Sequence, residues 1–175
     1  MTKPIIEFDV ETTGLQFYSD SLFMVQFMFP DDDRAVVLRH PEDREQIQAY
    51  LSYEGHDYRA WNTKFDVHFL KEAGYELPPE DSWHDGMVLA HIMDERRSAA
   101  LQARGDAIFG EDAEGHTEKA LKEWLKEETK RRRKRSKEEG VELVRPNYSD
   151  VPEDIIVPYA AHDVELQRKI GRAHV

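Results

Sequence analysis

A β-sheet covered by helices, in an α/β or α+β arrangement, is the fold class that this sequence predicts. Three observations carry it. Short β-rich runs fill the first forty residues, helical patterns dominate the remainder of the chain, and neither a repeat nor a linker divides it. The 175 residues match one ordinary domain, and a hydrophobic content of 39% is enough to enclose a core.

Each element has its own signal. Pro4 to Val10 (PIIEFDV) reads as a strand, and the nearly all-apolar Leu22 to Phe29 (LFMVQFMF) as a buried one. Asp31-Asp32-Asp33 marks a hairpin turn before a third strand over Arg34 to Leu38. Pro41 to Leu51 is polar and permits a helix, and Tyr58 to Trp61 reads as a fourth strand. Asn62 is placed to cap a helix with apolar positions Phe65, Phe69, Leu70 and Ala73, closed by Gly74. Further helices are expected over Asp85 to Asp94, with Asp85 as its cap, and near Ala99 to Phe109. A loop (GEDAEG) then leads into the highly charged Thr117 to Glu139. There only Ala120, Leu121, Trp124 and Leu125 are apolar anchors, so the first turns should pack and the rest project into solvent. Asn147 to Pro152 reads as a turn. Pro158 suits the first position of a last helix on which Tyr159, Asp163, Leu166 and Ile170 share a face.

Composition narrows the function. The chain has no cysteine, which excludes disulfides, thiolate zinc sites and cysteine nucleophiles. No apolar run approaches the roughly 18 residues of a membrane span, and no signal-peptide pattern is present, so a cytoplasmic location is expected. The eight histidines show no zinc spacing. The net charge of −12 disfavours nonspecific nucleic-acid binding, yet Lys130 to Lys137 (KRRRKRSK) holds seven basic residues and no acid. That run reads first as a solvated charged helix, with phosphate contact or a localisation-like patch as the alternatives. An acidic protein can still handle phosphates through bound cations.

The candidate chemistry lies in carboxylates. Phe8-Asp9-Val10-Glu11-Thr12-Thr13-Gly14-Leu15 places Asp9 and Glu11 on one side of a strand. Two such acids repel one another unless a divalent cation with a taste for hard oxygen, Mg²⁺ or Mn²⁺, lies between them. The alternative is a strand end with solvent-facing acids. In Asn62-Thr63-Lys64-Phe65-Asp66, Asp66 adjoins the apolar stripe of its helix, where a charge is costly without a partner; the alternative is an acid favoured by the helix dipole. In Tyr159-Ala160-Ala161-His162-Asp163 the i, i+4 spacing aligns phenol and carboxylate, a pairing that also occurs on ordinary helix surfaces.

Taken in order, FDVETTGL, NTKFD and YAAHD resemble the three motifs of the DEDDy 3′→5′ exonucleases, in particular the proofreading domain of family A DNA polymerases. DGMVLAHIMDE is similar to that family's segment between the second and third motifs. RAWNTKFDVHFLKEAGYELPPED and RPNYSDVPEDI look closest to phage-type members. The resemblance spans about Ile5 to Ile170. It implies a ribonuclease H-like α/β fold, a mixed five-stranded sheet flanked by helices, with residues 1–175 as a single domain and 111–147 as a charged helical and loop insertion.

By the same resemblance, Asp9, Glu11 and Asp163 match the ligands of one metal. Asp9 also matches the bridge to a second metal, and Asp66 the acid that orients that second ion. Tyr159 matches the residue that positions the attacking water. Thr12 and Leu15 match contacts to the terminal nucleotide, and Asn62 a support for substrate or loop. The implied activity is two-metal hydrolysis of DNA from single-stranded or frayed 3′ ends, releasing 5′-mononucleotides. A ribonuclease D-like RNA exonuclease uses the same acids, and a catalytically silent exonuclease-like module is the third reading. A family A polymerase continues beyond the last motif. The chain is therefore expected to be a stand-alone exonuclease, the partner of a separate polymerase subunit, or a fragment, in a phage or bacterial host cytoplasm.

Overall fold

The computed structural model describes residues 3–110 and 115–173. Five strands, β1 (Ile5–Thr12), β2 (Leu22–Met28), β3 (Val36–Arg39), β4 (Asp57–Ala60) and β5 (Trp83–Asp85), form one sheet in the order β3-β2-β1-β4-β5. The β1–β2 and β2–β3 pairs are antiparallel, and the β1–β4 and β4–β5 pairs parallel. The sheet is therefore mixed, as expected, with β1 at its centre. Sequence pattern does not separate β5 from the helix after it, because three residues are too few to show a period.

Helices cover both faces. Ile6, Phe8 and Val10 of β1 point to the layer formed by α1 (Arg44–Leu51) and α2 (Thr63–Glu72), where Ile47, Leu51, Phe69 and Leu70 complete the larger core. The opposite face packs against α5 (Gly115–Glu139) and α6 (Glu153–Ala173), with Met24, Leu121, Val151, Ile156 and Ala160 buried together. The short helices α3 (Gly86–Met93) and α4 (Leu101–Phe109) fill one end, where Leu101 meets Leu166 and Ile170 of α6. Parallel register places Glu7 beside Arg59, and the two form a buried ion pair. Burial pushes the Glu7 carboxyl up, and Arg59 holds against that shift.

One expectation is corrected and a second narrowed. Pro158 does not start the last helix. The amides of Ile155 and Ile156 both bond to Pro152 O, so α6 begins at Glu153 and Pro158 lies inside it. Glu153 and Asp154 favour that earlier start by facing the positive end of the helix dipole. The second half of α5 is mostly exposed, as expected, but it is not free of the rest of the chain. Ser136 Oγ donates to Val141 O at 2.7 Å and Arg132 reaches Asp150 at 3.2 Å, so the returning chain packs against the helix through polar contacts that hydrophobic periodicity does not register. Within the GEDAEG loop, residues 111–114 lie outside the described part of the chain.

The strand directions decide where a site can form. β1, β4 and β5 are mutually parallel and end at Thr12, Ala60 and Asp85, along one edge of the sheet. α2 starts three residues after β4, so its first turn rises from that edge. Crevices outside the carboxyl ends of parallel strands are where open α/β sheets place their ligands.

Candidate active site

β1 delivers Asp9 and Glu11 to the same side of the sheet, and the ladder with β2 breaks just beyond them. Glu11 pairs with Met24, but Thr12 pairs with Leu22, an irregularity that frees the strand end. α6 crosses that side and brings in Asp163. Oxygens of Asp9, Glu11 and Asp163 all lie within 4.8 Å of one another. Asp66, in the first turn of α2, is 1% exposed, and its Oδ2 has no hydrogen-bond partner. It stands outside the tight trio but within electrostatic reach of Asp9 and Glu11.

All four carboxyls are pushed upward. For Asp9 the causes are burial and then the charge of Asp163; for Glu11, burial and then Asp9, Asp163 and Asp66. Asp66 is raised by burial and then Asp9. Burial pushes Asp163 up to about 7 even though hydrogen bonds from Tyr159 and Gln102 oppose the shift. Among the described residues, the causes of these shifts are burial, like charges and hydrogen bonds, so the four acids gather negative charge in one place that a bound cation would offset. Carboxylate oxygens are hard donors, and the unpartnered Asp66 Oδ2 is a free acceptor, so the residues fit Mg²⁺ or Mn²⁺.

Tyr159 lies one helical turn before Asp163. Burial, followed by the charges of Asp163 and Glu11, drives its phenol far above the usual range, which favours the neutral, protonated form. Thr12 is half-buried, with its Oγ1 donating to Gly14 O at 2.6 Å. Leu15 is 78% exposed, on the loop that leaves β1. Asn62 occupies the cap position of α2 but makes no side-chain cap bond. It adopts a left-handed conformation (φ 72°) that asparagine tolerates better than most residues. Asp85 caps α3 by accepting from Val88 N at 3.0 Å.

Four residues at the site escape a reading of the sequence. Gln102 of α4 donates from Nε2 to Asp163 Oδ1 at 2.9 Å. Tyr148 meets the Tyr159 ring edge-on at 6.0 Å. Glu118 at the start of α5 adds negative charge near Asp163 and Tyr148 and is paired with Lys122 at 2.5 Å. Gln26 is opposite Asp9 in the β1–β2 register and fully buried, and neither side-chain polar atom has a partner. Only Gln26 leaves a trace in the sequence, as the one polar residue inside LFMVQFMF.

The basic run lies on α5, and five of its seven cations face carboxylates. Lys130 pairs with Glu127, Arg131 with Glu128, Arg132 with Glu128 and Asp150, Lys134 with Glu138, and Arg135 with Glu139. This is a solvated, ion-paired helix, as its charge pattern predicts.

Solved structures share this architecture. Brucella melitensis NrnC with bound Mg²⁺ superposes with a TM-score of 0.65 at 16% identity, over 98% of this chain and 71% of that one. The fold is ribonuclease H-like. Escherichia coli RNase D, an exoribonuclease involved in structured RNA processing, matches with a TM-score of 0.60 at 18% identity, over 98% of this chain and 38% of that one. The Aedes aegypti Nibbler EXO domain gives 0.58 at 11% identity, over 98% and 77% of the two chains. No protein-family model and no curated protein sequence matches the chain. Within the ribonuclease H-like fold, the acid cluster occupies the end of the central strand. Among the described residues no helix is long and apolar enough to cross a membrane.

Proposed function

We propose that this chain is a metal-dependent 3′→5′ exonuclease that removes 5′-mononucleotides from single-stranded or frayed 3′ ends. The observation that carries this reading is the convergence of Asp9, Glu11 and Asp163, with the buried Asp66 beside them, in one cluster of like charge. Divalent cations, when bound, would supply charge stabilisation and an acidified water for displacement at phosphorus. Asp9, Glu11, Asp66 and Asp163 would hold them. Gln102 fixes the Asp163 carboxylate through its 2.9 Å bond. Tyr159 orients the attacking water as a neutral group and does not accept its proton. Leu15 and Thr12 meet the terminal nucleotide, and Asn62 supports the substrate or the loop.

DNA is the substrate of the leading reading, with proofreading for a family A, phage-type polymerase as its setting and the host cytoplasm as its place. The phage-like segments RAWNTKFDVHFLKEAGYELPPED and RPNYSDVPEDI support it. The likeness to RNase D, named as an exoribonuclease, favours RNA as the second reading. Incubation of end-labelled single-stranded DNA and RNA with Mg²⁺ or Mn²⁺, resolved by length, tests both. Stepwise shortening from the 3′ end is expected, and the faster substrate decides between the two nucleic acids. Two intact strands would overturn the exonuclease reading.

Tyr159→Phe separates orientation from proton transfer. The variant should keep at least about tenfold more activity than Asp163→Ala, since an orienting hydrogen bond contributes less than a metal ligand. Equal losses would make the phenol indispensable. For the basic run, replacing Arg131, Arg132 and Arg133 with Gln should change the slope of log affinity against log salt by less than the ~0.7 that a single-strand phosphate contact contributes. A larger change, read from fluorescence anisotropy across a salt series, would assign the run to the nucleic-acid backbone.

A further inference from the structure

The loop leaving β1 displays aromatic rings that the hydrolytic chemistry does not use. Phe17 and Tyr18 meet edge to face, with ring centres 5.6 Å apart and planes at 80°. Phe17 also lies flat on His68 of α2, at 4.7 Å and 14°. Tyr18 is 74% exposed and Phe17 39%. One exposed ring is ordinary, but a row of three in contact is a surface prepared for another flat apolar group.

Both supports of this row also carry site acids. Phe17 follows Glu11 by six residues on the loop that leaves β1, and His68 lies on α2 two residues after Asp66, close along the helix axis but turned to another side of it. The loop is held closely. Thr13 N bonds to Ser21 O and Ser21 N to Thr13 Oγ1, both at 2.9 Å. Gln16 N donates to Asp20 Oδ2 at 2.8 Å and Asp20 N to Gln16 O at 2.7 Å. Gly14 permits this closure, because a Cβ there would sit 2.5 Å from the Asp20 carboxyl. The rings are thus ordered in advance, which lowers the entropy cost of stacking on them.

The charge balance indicates what must stack there. A chain of net charge −12 whose basic run is largely ion-paired gains little from backbone phosphates. Beyond the phosphate that cations in the carboxylate cluster would hold, affinity for a strand is left to its bases, each of which offers a flat π-face.

We propose that Phe17, Tyr18 and His68 form a stacking platform for an unpaired nucleobase within the last few nucleotides of the strand whose 3′ end enters the carboxylate cluster. This rests on the exonuclease reading and adds where the strand is gripped. The platform is indifferent to sugar, so it serves DNA and RNA alike.

The test uses single-stranded DNA and RNA oligonucleotides carrying 2-aminopurine at the first, second, third or fourth position from the 3′ end. They are bound to the protein in Ca²⁺, and their cleavage is followed separately in Mg²⁺ and Mn²⁺. Fluorescence should be quenched at one or two adjacent positions with the wild type. Tyr18→Ala and Tyr18→Leu should relieve that quenching and weaken binding roughly tenfold, within the range for loss of one stacked base. Tyr18→Phe should retain both. Because Tyr18 is exposed, these variants should fold as the wild type does, which circular dichroism checks. Quenching unchanged in Tyr18→Ala and Tyr18→Leu overturns the platform, and so does a wild-type protein that cleaves strands without quenching any position. Neither result touches the exonuclease reading. A wild-type protein that neither quenches nor shortens any strand overturns both.

Discussion

Asp9→Ala and Asp163→Ala should each lower the rate of strand shortening by about 10³-fold or more, roughly 4 kcal/mol of barrier. Both side chains belong to the trio whose oxygens lie within 4.8 Å of one another, and they reach it from different elements, β1 and α6. Removing either leaves a divalent ion with too few oxygen ligands to neutralise charge in the transition state. Neither change should unfold the protein, since each removes a buried like charge and no apolar contact. Single-turnover cleavage of labelled single strands by folded, purified variants measures the effect. Near-wild-type turnover in either variant would remove these acids from the chemistry.

The second large effect concerns stability. Without metal, the folded site keeps protons that the unfolded chain has already lost, because its carboxyls are raised. Stability therefore falls as pH rises wherever the folded state binds more protons. For Asp163 the window runs from the ordinary aspartate value of 3.8 to about 7. In EDTA the melting temperature should drop across that range, with Asp9, Glu11 and Asp66 shifting in the same direction. Metal reverses the requirement by favouring the charged acids. Binding to the folded site alone adds about 2.7 kcal/mol at a hundredfold excess over Kd. Mn²⁺ should act at lower concentration than Mg²⁺, which sheds its water reluctantly. Asp9→Ala should melt above the wild type in EDTA at neutral pH and respond little to Mn²⁺. The measurement is a set of thermal melts of both proteins in EDTA and millimolar Mn²⁺ from pH 4 to 8. An equal Mn²⁺ increment in both proteins would mean that the acids share no metal.

Local pattern along the chain was enough to say which side chains could do chemistry and roughly where the elements run. Strand alternation is local, so Asp9 and Glu11 were legible as neighbours on one face, opposite Phe8 and Val10. Helical spacing likewise aligned Tyr159 with Asp163 and set Asp66 beside the stripe of Phe69 and Leu70. The family resemblance added the mixed sheet, including β5, whose three residues are too short to announce themselves. Convergence belonged to the tertiary structure. Asp163 reaches Glu11 from 152 residues away in sequence, because α6 crosses the face of the sheet opposite α1 and α2. Gln102, Tyr148 and Glu118 come from segments that no periodicity connects to the acids. Packing of α4, α5 and the turn at Tyr148–Asp150 around α6 and β1 selected them, and a polar residue shows its partner only when another element closes over it. Gln26 shows the same division. Its polarity in an apolar strand was visible, but only the antiparallel register placed it opposite Asp9. The ion pairs on α5 were implied by charge spacing, yet the contact between Arg132 and Asp150 depends on the chain folding back. Period and propensity act over one or two turns of chain, whereas a buried cluster of like charges is imposed by the whole fold.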